Sequence, residues 1–357
     1  MKVLGIESSC DECAAAVVED GRLIRSNVVA TQIPFHAQYQ GVVPEIASRK
    51  HTEWIYAVVR EALDKAGIGP EGVEGVAVTS RPGLLGSLLV GLNFAKAFAW
   101  ARNLPFIAVD HILAHLYAPR LVEARPGGTS GSGSEASDYP FLGLLVSGGH
   151  SIICRVDSFD NITVLGATID DAVGEAFDKV AKHYGFGYPG GAAIDKLARL
   201  GDPGAFRFPL PKLSKENRQV SHSCDLSYSG LKTAVINQLD QFRVKKAEPG
   251  EDISPADIAA SFQKTAVEIL LRALLNAVKE TGLTTVVAGG GVAANSCLRS
   301  RLAEQAGLRC VFPPPELCGD NGAMIAGIGY QYLCRGDRSP LNLTASARVT
   351  GFKRRYP

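Results

Sequence analysis

The sequence is poor in most features that announce a function. Of its 357 residues only 2 are Trp and 2 Met, and aromatics make up 7%. No apolar run reaches the ~18 residues that a membrane-spanning helix needs, so no membrane partner is expected. The formal net charge is +1, which gives no global field, so any nucleic acid must be held by a local patch. There is no Walker loop and no G-x-G-x-x-G in a strand-to-helix turn. Eight cysteines are scattered along the chain, and only Cys10 and Cys13 form a C-x-x-C. That pair lies between two strand-like runs and does not open a helix as a thioredoxin-like site would, so it reads as two unrelated thiols. Scattered cysteines, with Met1-Lys2-Val3 leading straight into a strand that holds Glu7, predict no secretory leader and a reducing, cytoplasmic setting.

Glycine is what the sequence has in excess, 38 residues of 357 against a usual ~7%. Many stand in short clusters behind apolar runs, where tight turns or close backbone approach to a ligand need them. Hydrophobic residues make up 46%, which suits a well-packed α/β protein, and the length predicts two domains.

The order of elements starts with a strand (Val3 to Glu7), a polar turn (Ser8 to Glu12), a strand (Ala14 to Val18), a turn at Asp20-Gly21 and a strand (Leu23 to Ala30). A helix follows from Pro44 to Ala66, closed by Gly67, then a strand (Gly75 to Thr79), a turn at Pro82-Gly83, a helix from Leu84 to about Arg102, and a strand ending at Asp110. Residues 125–138 (RPGGTSGSGSEASD) read as a flexible loop or linker. After it the opening recurs as strand Phe141 to Val146, turn Ser147-Gly148-Gly149, strands His150 to Val156 and Ile162 to Gly166, and helix Asp171 to Tyr184. Both halves therefore begin strand, small-residue turn, strand, strand, helix, which is an internal duplication of pattern. Helices at Leu226 to Phe242 and Pro255 to Thr281, a strand Thr285 to Ala288, a helix Ala294 to Ala306, a strand Arg309 to Phe312 and a last helix from Asp320-Asn321-Gly322 to about Tyr332 complete the pattern. The basic tail Lys353-Arg354-Arg355 reads as a frayed terminus.

His111 and His115 follow the strand that ends in Asp110. The i, i+4 spacing puts both imidazoles on one helix face, close enough to share a metal ion. Ile112 stands where a helical zinc protease carries its general base, so the pair can hold a metal but lacks the usual water-activating partner. Two ordinary helix histidines are the plainer alternative. Asp320 reads from its position as an N-cap. As a third metal ligand it would complete a two-histidine, one-carboxylate set suited to iron(II) or zinc.

Three small-residue turns follow strands: Glu7-Ser8-Ser9, Ser147-Gly148-Gly149 and Gly289-Gly290-Gly291. Backbone N–H groups in such turns converge on anions, and together they predict a nucleotide cleft between two domains. Asp11 and Glu12 beside the first turn are solvated acids or the groups that orient a nucleophile. Glu175 and Lys179 form an i, i+4 pair, and Asp178, one register off it, is a candidate for a ribose hydroxyl. Arg49-Lys50-His51 reads as a solvated helix face, with RNA phosphate contact as the alternative.

Taken in order, Gly5-Ile-Glu-Ser-Ser-Cys-Asp-Glu12, Val43-Pro-Glu-Ile-Ala-Ser-Arg-Lys-His51, Asp110-His-Ile-Leu-Ala-His115, Leu145-Val-Ser-Gly-Gly-His150 and Asp170-Asp-Ala-Val-Gly-Glu-Ala-Phe-Asp-Lys179 match a known family. So do Tyr188-Pro-Gly-Gly191, Ser227-Tyr-Ser-Gly-Leu-Lys-Thr233, Gly290-Gly-Val-Ala-Ala-Asn295 and Asp320-Asn-Gly-Ala-Met324. The chain resembles the catalytic subunits of bacterial tRNA N6-adenosine threonylcarbamoyltransferases, once described as glycoprotein endopeptidases. The resemblance implies a duplicated α/β fold of the actin, sugar-kinase and heat-shock-ATPase type, two lobes around a nucleotide cleft. Its bounds would be a lobe at 1–124, the loop 125–138, a lobe at 139–319, and 320–357 as a final helix returning to the first lobe, with the tail. It implies one divalent metal held by His111, His115 and Asp320, iron(II) or alternatively zinc. It implies nucleotide contacts from Leu145, Val146, Ser147, Gly148, Gly149, Asp178, Gly191 and Asn295, with Ser9 near phosphate and Asp195 near ribose.

Family members take threonylcarbamoyl-AMP, whose site also admits ATP or AMP, and modify the adenosine 3′ of the anticodon in tRNAs reading codons that begin with A. They work with a degenerate paralogue subunit and a small ATPase. Asp11 or Glu12 would then take the proton from N6. Two departures concern loops: Arg81 stands where the family usually has glycine, and the 125–138 segment is longer than usual. The competing readings are a sugar-kinase-like phosphotransferase, which has no use for the histidine pair, a metalloprotease, which Ile112 argues against, and a non-catalytic scaffold, which an intact ligand set argues against.

Overall fold

The computed structural model describes residues 1–123, 138–211, 223–245, 254–348 and 353–354. Its strands are β1 (Lys2–Glu7), β2 (Glu12–Glu19), β3 (Leu23–Thr31), β4 (Gly75–Arg81), β5 (Phe106–Asp110), β6 (Val122–Glu123), β7 (Phe141–Val146), β8 (Ser151–Ser158), β9 (Asn161–Ala167), β10 (Thr285–Gly289), β11 (Arg309–Val311) and β12 (Lys353–Arg354). Its α-helices are α1 (Ile33–His36), α2 (Pro44–Lys65), α3 (Leu85–Ala101), α4 (His111–Tyr117), α5 (Val173–Tyr184), α6 (Gly190–Ala198), α7 (Ser229–Lys245), α8 (Pro255–Thr281), α9 (Ser296–Ala303) and α10 (Gly322–Arg335).

Two six-stranded sheets carry the fold, ordered β5-β4-β1-β2-β3-β6 and β11-β10-β7-β8-β9-β12. Position by position the two orders match, so the duplicated pattern is a duplicated topology. In each, the first strand of the half pairs antiparallel with the next (β1 with β2, β7 with β8) and parallel with a strand from later in the chain (β4, β10). The chain falls into two compact units. One is Met1–Asp138 with Asp157–Asn161 and Val311–Phe352, the other Tyr139–Val156 with Ile162–Cys310 and Lys353–Pro357. The Gly/Ser-rich segment at 125–137 lies outside the described residues.

In the first unit alternate residues of β1 serve two cores. Leu4 and Ile6 pack with Val58, Val59 and Ala62 of α2 and Leu92 and Ala95 of α3. Val3 packs on the other face with Met324, Ile325 and Ile328 of α10 and Ala114 and Tyr117 of α4. A sheet covered on both faces needs near-continuous apolar strands, which is why these strands were legible as runs. Gly5 lets α10 lie directly on β1. A Cβ there would stand 2.7 Å from the Ala326 Cβ, and one on Gly322 would stand 2.6 Å from the Ala15 backbone.

Several expectations are corrected. The helices α1 and α6 were not foreseen; one is four residues long and the other opens on two glycines. The helix expected from Leu226 starts at Ser229 because Leu226 bridges to Thr168. The one expected from Ala294 starts at Ser296, since Asn295 is its cap and accepts from Leu298 N. Lys353–Arg354 is no frayed end but pairs in parallel with Thr163 and Val164 of β9.

Candidate functional site

The site in the first unit is built at the end of β5. Asp110 closes that strand and caps α4, its Oδ1 accepting from Ile112 N at 2.9 Å. His111 and His115 then fall on successive turns of one face, with edge-to-face rings 4.6 Å apart. The expected cap role of Asp320 is not what the fold uses. Asn321 caps α10, accepting from Met324 N at 3.0 Å. Asp320, one residue earlier, is left to face the histidines.

Its Oδ1 lies 3.1 Å from His115 Nε2 and 3.4 Å from His111 Nε2, and the two Nε2 atoms are 3.2 Å apart. Three donors bound to one cation at about 2.1 Å stand about 3.0 Å apart in octahedral and about 3.4 Å apart in tetrahedral geometry. The three observed edges span that interval, and one carboxylate with two imidazoles is a donor set that iron(II) and zinc both accept. Both histidines are buried and Asp320 is partly open, and no other group of three metal-binding side chains occurs among the described residues. In the protein alone, burial opposes the His111 imidazolium, but the Asp320 and Glu7 carboxylates outweigh it and push that histidine up to about 10. Burial holds His115 below its ordinary range.

The turn after β1 adjoins His111. Glu7 is fully buried and accepts from Ser9 N (2.6 Å) and Thr79 Oγ1 (2.5 Å), with His111 Nδ1 2.9 Å away. Ser9 Oγ is 3.3 Å from the same nitrogen. By sequence Glu7 is only part of an anion-facing turn; here Ser9 N donates to the Glu7 carboxylate itself, and a carboxylate ending an otherwise apolar strand is a signal of a buried partner. Thr79 reaches it beside an irregularity in the β4–β5 register between Thr79 and Arg81. Burial first, then the Asp320 and Asp11 charges, push Glu12 up to about 9, and Thr31 Oγ1 donates to it at 3.2 Å. The Asp11 carbonyl accepts from Gln32 N.

Apart from Ser9, the residues expected to contact nucleotide lie in the second unit. Leu145 and Val146 end β7, and the turn Ser147-Gly148-Gly149 closes with Ser147 N donating to His150 O at 2.8 Å. Gly174 at the start of α5 lies against that turn, where a Cβ would come 2.6 Å from Ser147 O. The Gly290 turn abuts the end of β7, at a backbone φ of +91° that favours glycine. Asp178 accepts from Gly190 N at 2.8 Å, next to Gly191, and Asp195 accepts from Ser296 N and Oγ (3.2 and 2.7 Å), next to Asn295. Asn295 donates to Gln263 (2.9 Å), and Gln263, Lys264, Cys297 and Arg301 line a cavity of about 330 Å³ with Ala198 and Arg199. Ser9, expected near phosphate, belongs to the first unit.

Other expectations divide. Glu175 and Lys179 do pair, at 2.8 Å, and Lys179 also meets Asp171 at 2.8 Å. The Arg49-Lys50-His51 run is not uniformly solvated. Arg49 is exposed, but His51 is fully buried, with Nε2 2.9 Å from the Cys10 carbonyl. Arg81 pairs with Asp110 at 3.3 Å. Cys10 and Cys13 are free thiols that burial pushes up, Cys13 to about 12, so both disfavour the thiolate.

No described helix is long and apolar enough to cross a membrane. Among solved structures, full-length HypF in its phosphate- and nucleotide-bound form superposes with a TM-score of 0.58 at 15% identity, over 93% of this chain and 55% of that one. Component A of the (R)-2-hydroxyglutaryl-CoA dehydratase of Acidaminococcus fermentans gives 0.52 at 15% identity, over 94% and 99%. At that identity they show the fold alone, the actin-like ATPase type. Sequence relatives are far closer. The tRNA N6-adenosine threonylcarbamoyltransferase of Treponema denticola is 62% identical over 355 residues, 99% of each chain. That of Borrelia hermsii is 48% identical over 353 residues, 99% of this chain and 98% of the other. The profile of the TsaD family, tRNA N6-adenosine threonylcarbamoyltransferase, matches residues 23–327. The chain therefore belongs to the tRNA N6-adenosine threonylcarbamoyltransferase family, transferases that modify tRNA.

Proposed function

We propose that this chain transfers the threonylcarbamoyl group of threonylcarbamoyl-AMP to N6 of the adenosine 3′ of the anticodon, in tRNAs reading codons that begin with A. The observation that carries the reading is the convergence of His111, His115 and Asp320, whose carboxylate acts on nearby Glu12, in a member of this family. Those three residues would hold one divalent cation, iron(II) or zinc, which supplies Lewis acidity and a template for carboxylate and phosphate oxygens. Leu145 to Gly149, Asp178, Gly191, Asp195 and Asn295 bind the AMP part, and Ser9 serves phosphate. The domain bounds read from the resemblance, with the lobes at 1–124 and 139–319, belong to the same proposal.

In the transfer, N6 bonds to the carbamoyl carbon, the bond from that carbon to the phosphate oxygen breaks, and AMP leaves with the electron pair. Adenosine N6 is a poor nucleophile because its lone pair is delocalised, so positioning does most of the work. Once N6 has attacked, its proton is strongly acidic and an ordinary carboxylate suffices to accept it. That acceptor is one of the two carboxylates that follow the β1 turn, Asp11 or Glu12.

The partners in this reading are tRNA, a degenerate paralogue subunit and a small ATPase, in the cytoplasm. A subunit surface is supported by α3, which exposes Leu85, Leu89 and Trp100 (75% exposed) along one helix. The test is reconstitution with preformed threonylcarbamoyl adenylate and tRNA, followed by nucleoside analysis. Modified adenosine and AMP are expected, and an Asp11→Ala chain should be slowed by about 10²–10⁴, the usual worth of a general base. Release of ADP with a small acceptor, or transfer by Asp11→Ala at the unmodified rate, refutes the scheme or the role of Asp11.

A further inference from the structure

We propose that Glu7 is the positioning residue of the metal centre: it claims the proton on His111 Nδ1 and thereby presents the Nε2 lone pair to the cation. The proposal rests on the reading of His111, His115 and Asp320 as a ligand set. Its basis is an accounting of donors around one carboxylate. Glu7 is fully buried at the end of β1, and a carboxylate only accepts. Ser9 N, Thr79 Oγ1 and His111 Nδ1 surround it at 2.6, 2.5 and 2.9 Å. All three must donate, so Nδ1 carries a hydrogen. A neutral imidazole protonated there has its lone pair on Nε2. That is the atom 3.2 Å from His115 Nε2 and 3.4 Å from Asp320 Oδ1. His115 lacks such support, since its buried Nδ1 has no hydrogen-bond partner among the described residues. His111 is thus the anchored ligand and His115 the one that adjusts.

The sharpest probe keeps the shape and reverses one donor. In Glu7→Gln the carboxamide oxygen must face Ser9 N, because a backbone N–H can only donate. The NH₂ then faces Thr79 and His111. The Thr79 hydroxyl can rotate to accept, but His111 Nδ1 must give up its proton, which moves to Nε2 and occupies the lone pair meant for the metal. Zinc titration of the purified full chain should therefore show affinity reduced by about 10–100-fold, the usual effect of removing a ligand's orienting partner. Thr79→Val takes a different donor from the same carboxylate and leaves the His111 proton in place, so its zinc affinity should stay within about threefold. Equal zinc binding by Glu7→Gln and the unmodified chain overturns the proposal, and so does an equal loss in Thr79→Val, which would make the effect merely structural.

Should Glu7→Gln fail to fold, the zinc-loaded unmodified chain labelled with ¹⁵N-histidine still decides. A slowly exchanging Nδ1–H on His111 with zinc on Nε2 supports the assignment, and zinc on Nδ1 refutes it. An unmodified chain whose zinc binding is indifferent to His115→Ala overturns the ligand set itself, and this inference with it. Zinc binding that needs His115 but not Glu7 sinks the inference alone.

Discussion

Gly5→Ala should damage the proposed metal centre without touching His111, His115 or Asp320. Gly5 faces α10, and a Cβ there would stand 2.7 Å from the Ala326 Cβ and closer still to the Gly322 carbonyl and Ala326 amide. Ordinary carbon contacts lie near 3.5–4.0 Å, so the helix must retreat by about 1 Å. Two of the obstructing groups are backbone and have no rotamer to escape into. Overpacking of this kind costs about 1–3 kcal/mol, which in a unit of this size lowers Tm by several degrees. The retreat also carries Asp320, two residues before α10, away from histidines that it now meets at 3.1 and 3.4 Å. A 1 Å error at one ligand of three should reduce zinc affinity by at least about tenfold. Gly327→Ala on the same helix is the contrast, because the nearest atoms to its Cβ belong to side chains, those of Tyr117 and Leu121 at 2.7–2.9 Å, rather than to backbone. Thermal melts and zinc titrations of both variants test this. A Gly5→Ala chain with unchanged Tm and zinc affinity would refute the claim that direct α10–β1 contact sets the ligand geometry.

Asp320→Asn keeps the shape and removes the charge, so metal analysis after dialysis should fall from one zinc per chain toward none, while the α10 cap on Asn321 and the fold persist. His51 is held neutral by burial, below its ordinary range. A base with a lowered folded pKa contributes stability that is present above about pH 6.5 and lost as the pH falls through the folded value. Urea unfolding between pH 7.5 and 5 should therefore show a steeper loss in the unmodified chain than in His51→Gln, which keeps a donor for the Cys10 carbonyl but does not titrate. Asp170 accepts from Ser227 Oγ (2.5 Å), Tyr228 N (2.8 Å) and Ser229 Oγ (2.7 Å) at the start of α7. Asp170→Ala should cost about 1–3 kcal/mol in denaturant unfolding, and an effect under about 0.5 kcal/mol would show that α7 does not depend on this cap.

The elements legible in the sequence are those whose period survives burial. The apolar runs of β1, β4 and β7 and the 27-residue α8 opened by Ser254 were read with their types and nearly their ends. His51 was misread although its signal was present, since Ala47, His51 and Ile55 recur at helical spacing on the buried face of α2. Asp320 and Asn321 are both good caps by type, and no local rule chooses between them. Gly322 decides, because it must lie against Ala15 and Ala16, which starts α10 one residue later and releases Asp320. The pairing of Asp195 with Ser296 spans 101 residues, and only the folded sheet order could bring it together.

Sheet order also explains how side chains so far apart in sequence meet. His115 and Asp320 are 205 residues apart. In the duplicated arrangement β5 and β11 hold the same place in their sheets. The chain runs from β5 into α4 with its two histidines, and from β11, through the turn at Pro315–Leu317, toward α10 with Asp320 in front of it. The cluster of His111, His115 and Asp320 is thus drawn from the segments that leave corresponding strands of the two halves. The second half contributes because its last segment, Val311–Phe352, packs in the first unit. The local repeat supplies only the positions; the departures from it, histidines after one strand and a carboxylate after the other, supply the chemistry. A chain cut after β11 would keep both histidines and lose the carboxylate together with the helix that covers one face of β1. Its failure to bind zinc would follow from the topology even where no histidine had moved.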